Sequence, residues 1–205
     1  MTQTGEFHFY APEDGHGLAH DPMKAIIAPR PIGWISTVDA SGGVNLAPYS
    51  FFNAICSRPP ILAFSNEKES DSLRNARETG EFVFNMVGAE LAQAMNKTSA
   101  AVAPDVDEMA LAGLTPAPCR FVRAPRVAES PASMECRVLQ IIHLHDLEGR
   151  PTRSHLVIGQ VVGVHIRRRY LKDGVFDTAA ARPLARCGSW GDYAVVSELI
   201  EMARP

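Results

Sequence analysis

Two long strand-like runs in the second half of the chain constrain its fold most. They are Ala132–Leu144 (ASMECRVLQIIHL) and His155–Ile166 (HLVIGQVVGVHI), with the turn sequence HDLEGRP leading from one to the other. Both exceed the usual strand of about five or six residues, and the first is β-branched in its later part, which suits a pleated surface. Strand-like segments also dominate the first half. Ile32–Val38 and Val44–Phe52 flank the turn-rich DASGG as a hairpin, Ile61–Ser65 follows Pro59-Pro60, and Glu81–Val87 (EFVFNMV) alternates side to side. A helix is expected over 71–79, with Ser70 or Asp71 as N-cap and Gly80 as the C′ residue. GAELAQAMNKTS reads as a second helix, and Val106–Ala112 as a helical turn. Arg120–Ala124 reads as a short strand, 175–196 as loop, and SELIEMA as a closing turn of helix. Strands and helices do not alternate regularly, and no GxGxxG or GxxxxGK[ST] is present, so a doubly wound parallel sheet is disfavoured. The expectation is a mainly β chain, an antiparallel barrel or sandwich with helical additions. Residues 1–22 form a polar N-terminal arm, and 23–205 form one domain.

The 205 residues carry 46% hydrophobic and 21% charged side chains and a net charge of −3, enough apolar material for a core and no basic field for nucleic acid. The triplet Arg167–Arg169 reads as a solvated strand end. No run of about 18 apolar residues suggests a membrane span, and the first residues lack the apolar core of a signal peptide. Four cysteines without CxxC spacing point to a reduced, cytoplasmic setting.

Several stretches are candidates for chemistry. The hairpin places Ser36, Thr37, Ser50 and Asn53 beside Trp34, Tyr49, Phe51 and Phe52. Such a mix suits either a solvated polar face or a planar aromatic ligand with a polar rim. In SNEKESDSLRN, Lys68 and a helix N-terminus near Ser70–Ser72 together form either an anion site or a plain capped helix. His143 and His145 share one side of a strand, but spacing suggests no third metal ligand. No G-x-S-x-G favours serine hydrolysis, Cys187 reads as an ordinary free cysteine, and Asp107-Glu108 as a turn cap.

The order RPIGWIST, VNLAPYSFFNAICSRPPILAFS, KESDSLRNARETGEFVFNMV, DEMALAGLTP, PRVAESPASMECRV, HLVIGQVVGVHI, PLARCGSWGDY resembles the flavin reductase-like, FMN-binding split-barrel family, flavoredoxin-type members above all. The resemblance runs from about Asp21 to Tyr193 and implies a six-stranded antiparallel Greek-key barrel with helical additions, in a homodimer. It implies FMN as cofactor, with FAD as the alternative, and NADH or NADPH as electron donor, with hydride passing from the nicotinamide to the flavin.

By that resemblance, Arg30, Trp34, Ser36 and Thr37 line the flavin. Ala47, Tyr49, Ser50, Phe51, Phe52 and Asn53 pass the edge of its ring, and Lys68, Asp71 and Ser72 lie near its phosphate or ribityl chain. His155 falls where many members carry Gly-Asp-His, though Arg153-Ser154 replaces Gly-Asp here. It is the catalytic candidate at the nicotinamide. Arg186 and Tyr193 match a pattern whose second glycine is Ser189 in this chain. The leading expectation is an NAD(P)H-dependent flavin reductase serving a monooxygenase or another redox protein. The alternatives are an FMN electron carrier without a nicotinamide site, and a non-catalytic flavin- or haem-binding module.

Overall fold

The computed structural model describes residues 6–103, 106–188 and 191–203. Its main sheet has seven strands: β1 (Gly33–Val38), β2 (Val44–Tyr49), β3 (Phe52–Ser57), β4 (Pro60–Asn66), β5 (Glu81–Asn85), β6 (Ala132–His145) and β7 (Pro151–Ile166). They run β2-β1-β5-β6-β7-β4-β3, each antiparallel to its neighbours. The strands at the two edges are consecutive in sequence, with only Ser50 and Phe51 between them. Three Cα steps span at most about 11 Å, so the sheet has to roll until its edges meet. The result is a barrel split at Ser50 and Phe51. The expected strand Val44–Phe52 therefore breaks at Tyr49, one residue after Pro48, which an edge strand tolerates.

Ile35, Leu62, Phe64, Phe82, Cys136, Val157 and Val161 fill the barrel, and Leu73 and Ala76 of helix α1 (Asp71–Thr79) pack against them. As expected, Ser70 caps α1 by accepting from Leu73 N–H at 3.2 Å, and Gly80 ends it in the left-handed region at φ 72°. Gly159 leaves room for Phe82, because a Cβ there would lie 2.4 Å from the Phe82 ring. Register shifts at three points along β6 and β7 bend the long pair around the barrel. On the other side of β1, a second core joins Trp34, Leu46 and Val87 to Met95 of α2 (Ala92–Lys97) and Met109 of α3 (Glu108–Leu111).

Four local expectations are corrected. Arg120–Ala124 forms no strand, because its backbone N–H groups turn to two carboxylates. Glu135 takes those of Arg120, Phe121 and Val122, and Glu81 those of Arg123 and Ala124. The expected helix over 88–99 is a 3₁₀ turn, Ala89–Leu91, followed by the short α2. Within 175–196, Leu184–Cys187 pairs with both Arg30–Pro31 and Asp192–Val195. The segment SELIEMA has no helix, and Leu199, Ile200 and Met202 stand exposed. No helix among the described residues is long and apolar enough to cross a membrane.

Candidate functional site

Where the barrel splits, a groove of about 640 Å³ opens between the end of β2, the β4–α1 loop and the segment after α2. Ala47, Tyr49, Ser50 and Phe51 form one wall, and Asn66, Lys68, Ser70 and Asp71 another. Asn45, Thr98, Ser99, Glu108 and Arg153 also line it. The α1 cap orders the loop side. Ser70 Oγ receives Asn66 Nδ2 at 2.6 Å and lies 3.2 Å from Tyr49 Oη. Among the described residues, Asn66 Oδ1 is buried without a partner.

Most charges around the groove are matched locally. Lys24 faces Glu67 at 3.8 Å and lies over the Phe51 ring, and Arg74 meets Asp71 at 2.5 Å. Lys68 and Arg153 are the lining cations with no ion pair or side-chain hydrogen bond among the described residues. Glu108 is only 6% exposed, and its Oε2 accepts Leu46 N–H at 3.0 Å. Burial pushes its carboxyl above the ordinary glutamate range, the charges of Asp71 and Asp107 add to this, and the Leu46 N–H opposes it. Burial likewise raises the Tyr49 hydroxyl, against hydrogen bonds from Ser70 and Ser72.

A family model described as "Flavin reductase like domain" matches residues 24–184. The chain belongs to the flavin reductase-like family. An uncharacterized protein of Aquifex aeolicus is 35% identical over 179 residues, covering 84% of this chain and 87% of its own length. The crystal structure of nitrilotriacetate monooxygenase component B from Bacillus cereus superposes with a TM-score of 0.82 at 30% identity, covering 90% and 98% of the two chains. Flavoredoxin of Desulfovibrio vulgaris (Miyazaki F) shares the fold, with a TM-score of 0.76 at 24% identity over 86% and 91% of the two chains. The expected split-barrel family and mainly β, antiparallel fold are thus present.

Within this flavin reductase-like barrel, the residues named from the sequence divide. Ala47, Tyr49, Ser50, Phe51, Lys68 and Asp71 line the groove. Trp34, Ser36 and Thr37 do not, because each is fully buried and its polar atom is already engaged. Trp34 Nε1 donates to Thr98 Oγ1 at 2.9 Å. Ser36 Oγ donates to Pro125 O at 2.6 Å, and Thr37 Oγ1 accepts from Asn75 at 3.1 Å and Asn45 at 3.3 Å. Ser72 is buried and accepts from Asn45 at 2.8 Å. Arg30 is buried and donates to the carbonyls of Lys24, Ile27 and Gly188. Phe52 turns inward and stacks on Phe84 at 4.6 Å, and Asn53 lies exposed on β3 with its Oδ1 on Ala54 N–H. Arg186 and Tyr193 face each other across a strand pair, the guanidinium 4.8 Å from the ring centre, while Ser189 lies outside the described residues.

His155 is paired in register with the groove residue Asn66, and its ring stacks on His143 at 4.3 Å. Burial lowers its pKa first, and His143 and Arg77 lower it further, against Glu69. His143 and His145 each bond a backbone carbonyl. Among the described residues, the metal-capable trio whose ligand atoms gather is instead Cys119, Glu135 and His165. There the carboxylate already accepts three N–H groups and a 2.6 Å contact from His165 Nε2, so the trio closes a loop onto the barrel. Burial, then the Glu135 charge, pushes the Cys119 thiol up to about 12.

The sequence reading missed Asn45, Asn66, Glu108 and Arg153 as lining residues. Asn66 had a usable signal, because it follows a buried strand and precedes a helix cap. Glu108 had none, because its Asp-Glu-Met context reads as an ordinary helix start.

Proposed function

We propose that this chain is an FMN-binding oxidoreductase that passes hydride from NADH or NADPH to flavin. The groove at the barrel split carries this reading, because its donor set matches the parts of a flavin nucleotide. Lys68 and Arg153 are unmatched cations suited to a phosphate. Tyr49 and Phe51 give half-buried aromatic surface, and Asn66 gives an amide with an unused oxygen. FMN, when bound, supplies a ring that accepts hydride. The protein's part is to hold that ring against the split, to keep water from one face and to leave the other open for the donor. His155, which pairs in register with Asn66 but does not itself line the groove, is the residue we assign to the nicotinamide.

The similarity to a monooxygenase component B supports a role in supplying reduced flavin to a separate oxygenase. Exposed Leu139, Ile142 and Val164 on the long β6–β7 pair support assembly as a homodimer. Four free cysteines fit a reducing, cytoplasmic setting. The test is nicotinamide oxidation by purified protein with added FMN. Turnover with either nucleotide is expected. A protein that binds FMN yet is inert to both would refute the reductase reading and leave an electron carrier.

A further inference from the structure

A second cavity, of about 510 Å³, is lined by the 126–130 loop and the last residues of β7, and it shares no lining residue with the groove at the split. Its wall holds two polar side chains that the fold does not use. Ser130 is only 3% exposed, and its Oγ has no partner among the described residues. Arg126 is half-buried, and its Nε is buried without a partner. Its guanidinium makes no ion pair or side-chain hydrogen bond among the described residues. The carboxylates nearby are already taken. Both oxygens of Glu129 receive Thr115 N–H at 3.2 Å, and Glu135 accepts three N–H groups and faces His165 Nε2 at 2.6 Å. Arg167 adds a second guanidinium, which ties the loop down by donating Nε and Nη2 to Ala128 O at 3.1 and 2.6 Å.

A guanidinium N–H and a hydroxyl buried without acceptors cost free energy until something supplies them. The matching group is an oxyanion, because it presents two oxygens to the arginine fork and accepts from a hydroxyl. Two arginines exclude a cation. Val164 and Ile166, both exposed, set apolar surface beside these donors, which a bare ion would leave wet. We propose that this cavity is a second ligand site, and that it takes a small organic carboxylate. The carboxylate is held by Arg126 and Ser130, and the apolar body lies against Val164 and Ile166. Arg167 is a positioning residue that fixes the loop and adds positive charge. The site is independent of the flavin reading.

The experiment follows the backbone amide shifts of isotope-labelled protein during titration with benzoate, with its neutral isostere benzamide and with inorganic phosphate. Benzoate is expected to move the amides of 126–130 and 164–167 saturably, and benzamide is not. Phosphate, which lacks an apolar body, should bind more weakly. Arg126→Met should weaken benzoate about ten-fold or more, and Ser130→Ala about three-fold or more. Arg168→Ala removes the same charge from an exposed side chain outside the cavity, so it should change affinity by less than about two-fold. Arg126→Lys keeps the charge but loses the fork, so it should fall between, and it decides if Arg126→Met fails to fold. Equal losses from Arg168→Ala and Arg126→Met would show a general surface field and overturn the proposal. Phosphate binding as tight as benzoate would overturn the organic ligand. Shifts confined to groove residues 66–71 would put the anion at the split and overturn the second site. So would a wild type whose 126–130 amides respond to none of the three, whether water fills the cavity or a second copy seated on the Val164 face covers it.

Discussion

Replacing Lys68 by alanine tests the proposed contact between the groove and a phosphate. Lys68 lines the groove from the exposed β4–α1 loop, where it has no ion pair or side-chain hydrogen bond among the described residues. Its removal therefore breaks no ion pair or side-chain hydrogen bond among the described residues, so a phosphate-specific effect comes through the ligand. A solvent-exposed ion pair contributes roughly 0.2–1 kcal/mol, and a charge-assisted hydrogen bond about 1.5–3 kcal/mol. A phosphate held partly in the groove falls between, at about 1–2 kcal/mol, which is about 5–30-fold in affinity. Riboflavin shares the ring and ribityl chain but lacks the phosphate, so its affinity should change by less than about two-fold. Fluorescence titration of both ligands against wild type and Lys68→Ala measures the two ratios. Repeating the titration at high salt adds a control, because the Debye length falls from about 10 Å at 0.1 M to 3 Å at 1 M. The FMN-specific loss should shrink accordingly. Equal weakening of FMN and riboflavin would refute the reasoning, and so would an FMN loss that ignores salt.

The barrel and its site offer further tests. Asn85 is fully buried, donates to Trp34 O and Ser36 Oγ, and accepts from Val127 N–H at 2.8 Å and Ser133 Oγ at 2.9 Å. Asn85→Ala strands several of these groups, so a loss of roughly 3 kcal/mol is expected, seen as a melting temperature lower by about 6–12 °C. A shift under about 2 °C would show that water replaces the amide. Gly33→Ala puts a Cβ 2.5 Å from the Phe52 ring, which is held in a stack on Phe84. It should destabilise the barrel near the split, and thermal unfolding at the wild-type temperature would contradict the packing described. His155 has its pKa lowered, so the unfolded chain binds more protons and stability falls as pH drops through the ordinary histidine range toward the lowered value. His155→Gln should flatten that slope in urea unfolding at about pH 7.5 and pH 5.5, whereas an unchanged slope would assign it to another group.

The elements legible in the sequence are those set by local chemistry. α1 was readable because Ser70, Leu73, Ala76 and Gly80 supply cap, apolar face and stop within eleven residues. β6 and β7 were readable because their length and branching leave few alternatives. Arg120–Ala124 was misread because its backbone is satisfied by Glu135 and Glu81, which lie far along the chain. Nothing within those five residues signals distant carboxylates. The small strand Leu184–Cys187 was hidden for a similar reason. Its partner at Arg30–Pro31 lies more than 150 residues away, and the flanking Pro183, Gly188 and Gly191 give the segment the look of a loop.

The hairpin shows why the site was only half legible. Buried polar side chains in a strand demand partners, but a sequence does not say whether a ligand or the chain supplies them. For Ser36 and Thr37 the chain does, through Pro125 O and Asn75, each provided by an element outside the hairpin. After Pro48, Tyr49 meets Ser70 and Asn53 accepts Ala54 N–H, while closure of the barrel brings two sheet edges together at Ser50 and Phe51 and leaves a gap beside them. That gap depends on strand order, which puts consecutive strands at opposite ends of the sheet. The same closure brings residues 98–99 and Glu108 to the gap from one stretch of the chain and Arg153 from another much later. Each of these residues looks ordinary in its own context and comes to line the groove only when the edges meet. The groove and the fold therefore share one cause, the connection of β2 to β3 across the split. A change that lengthens the two-residue link would alter the groove before it altered the core.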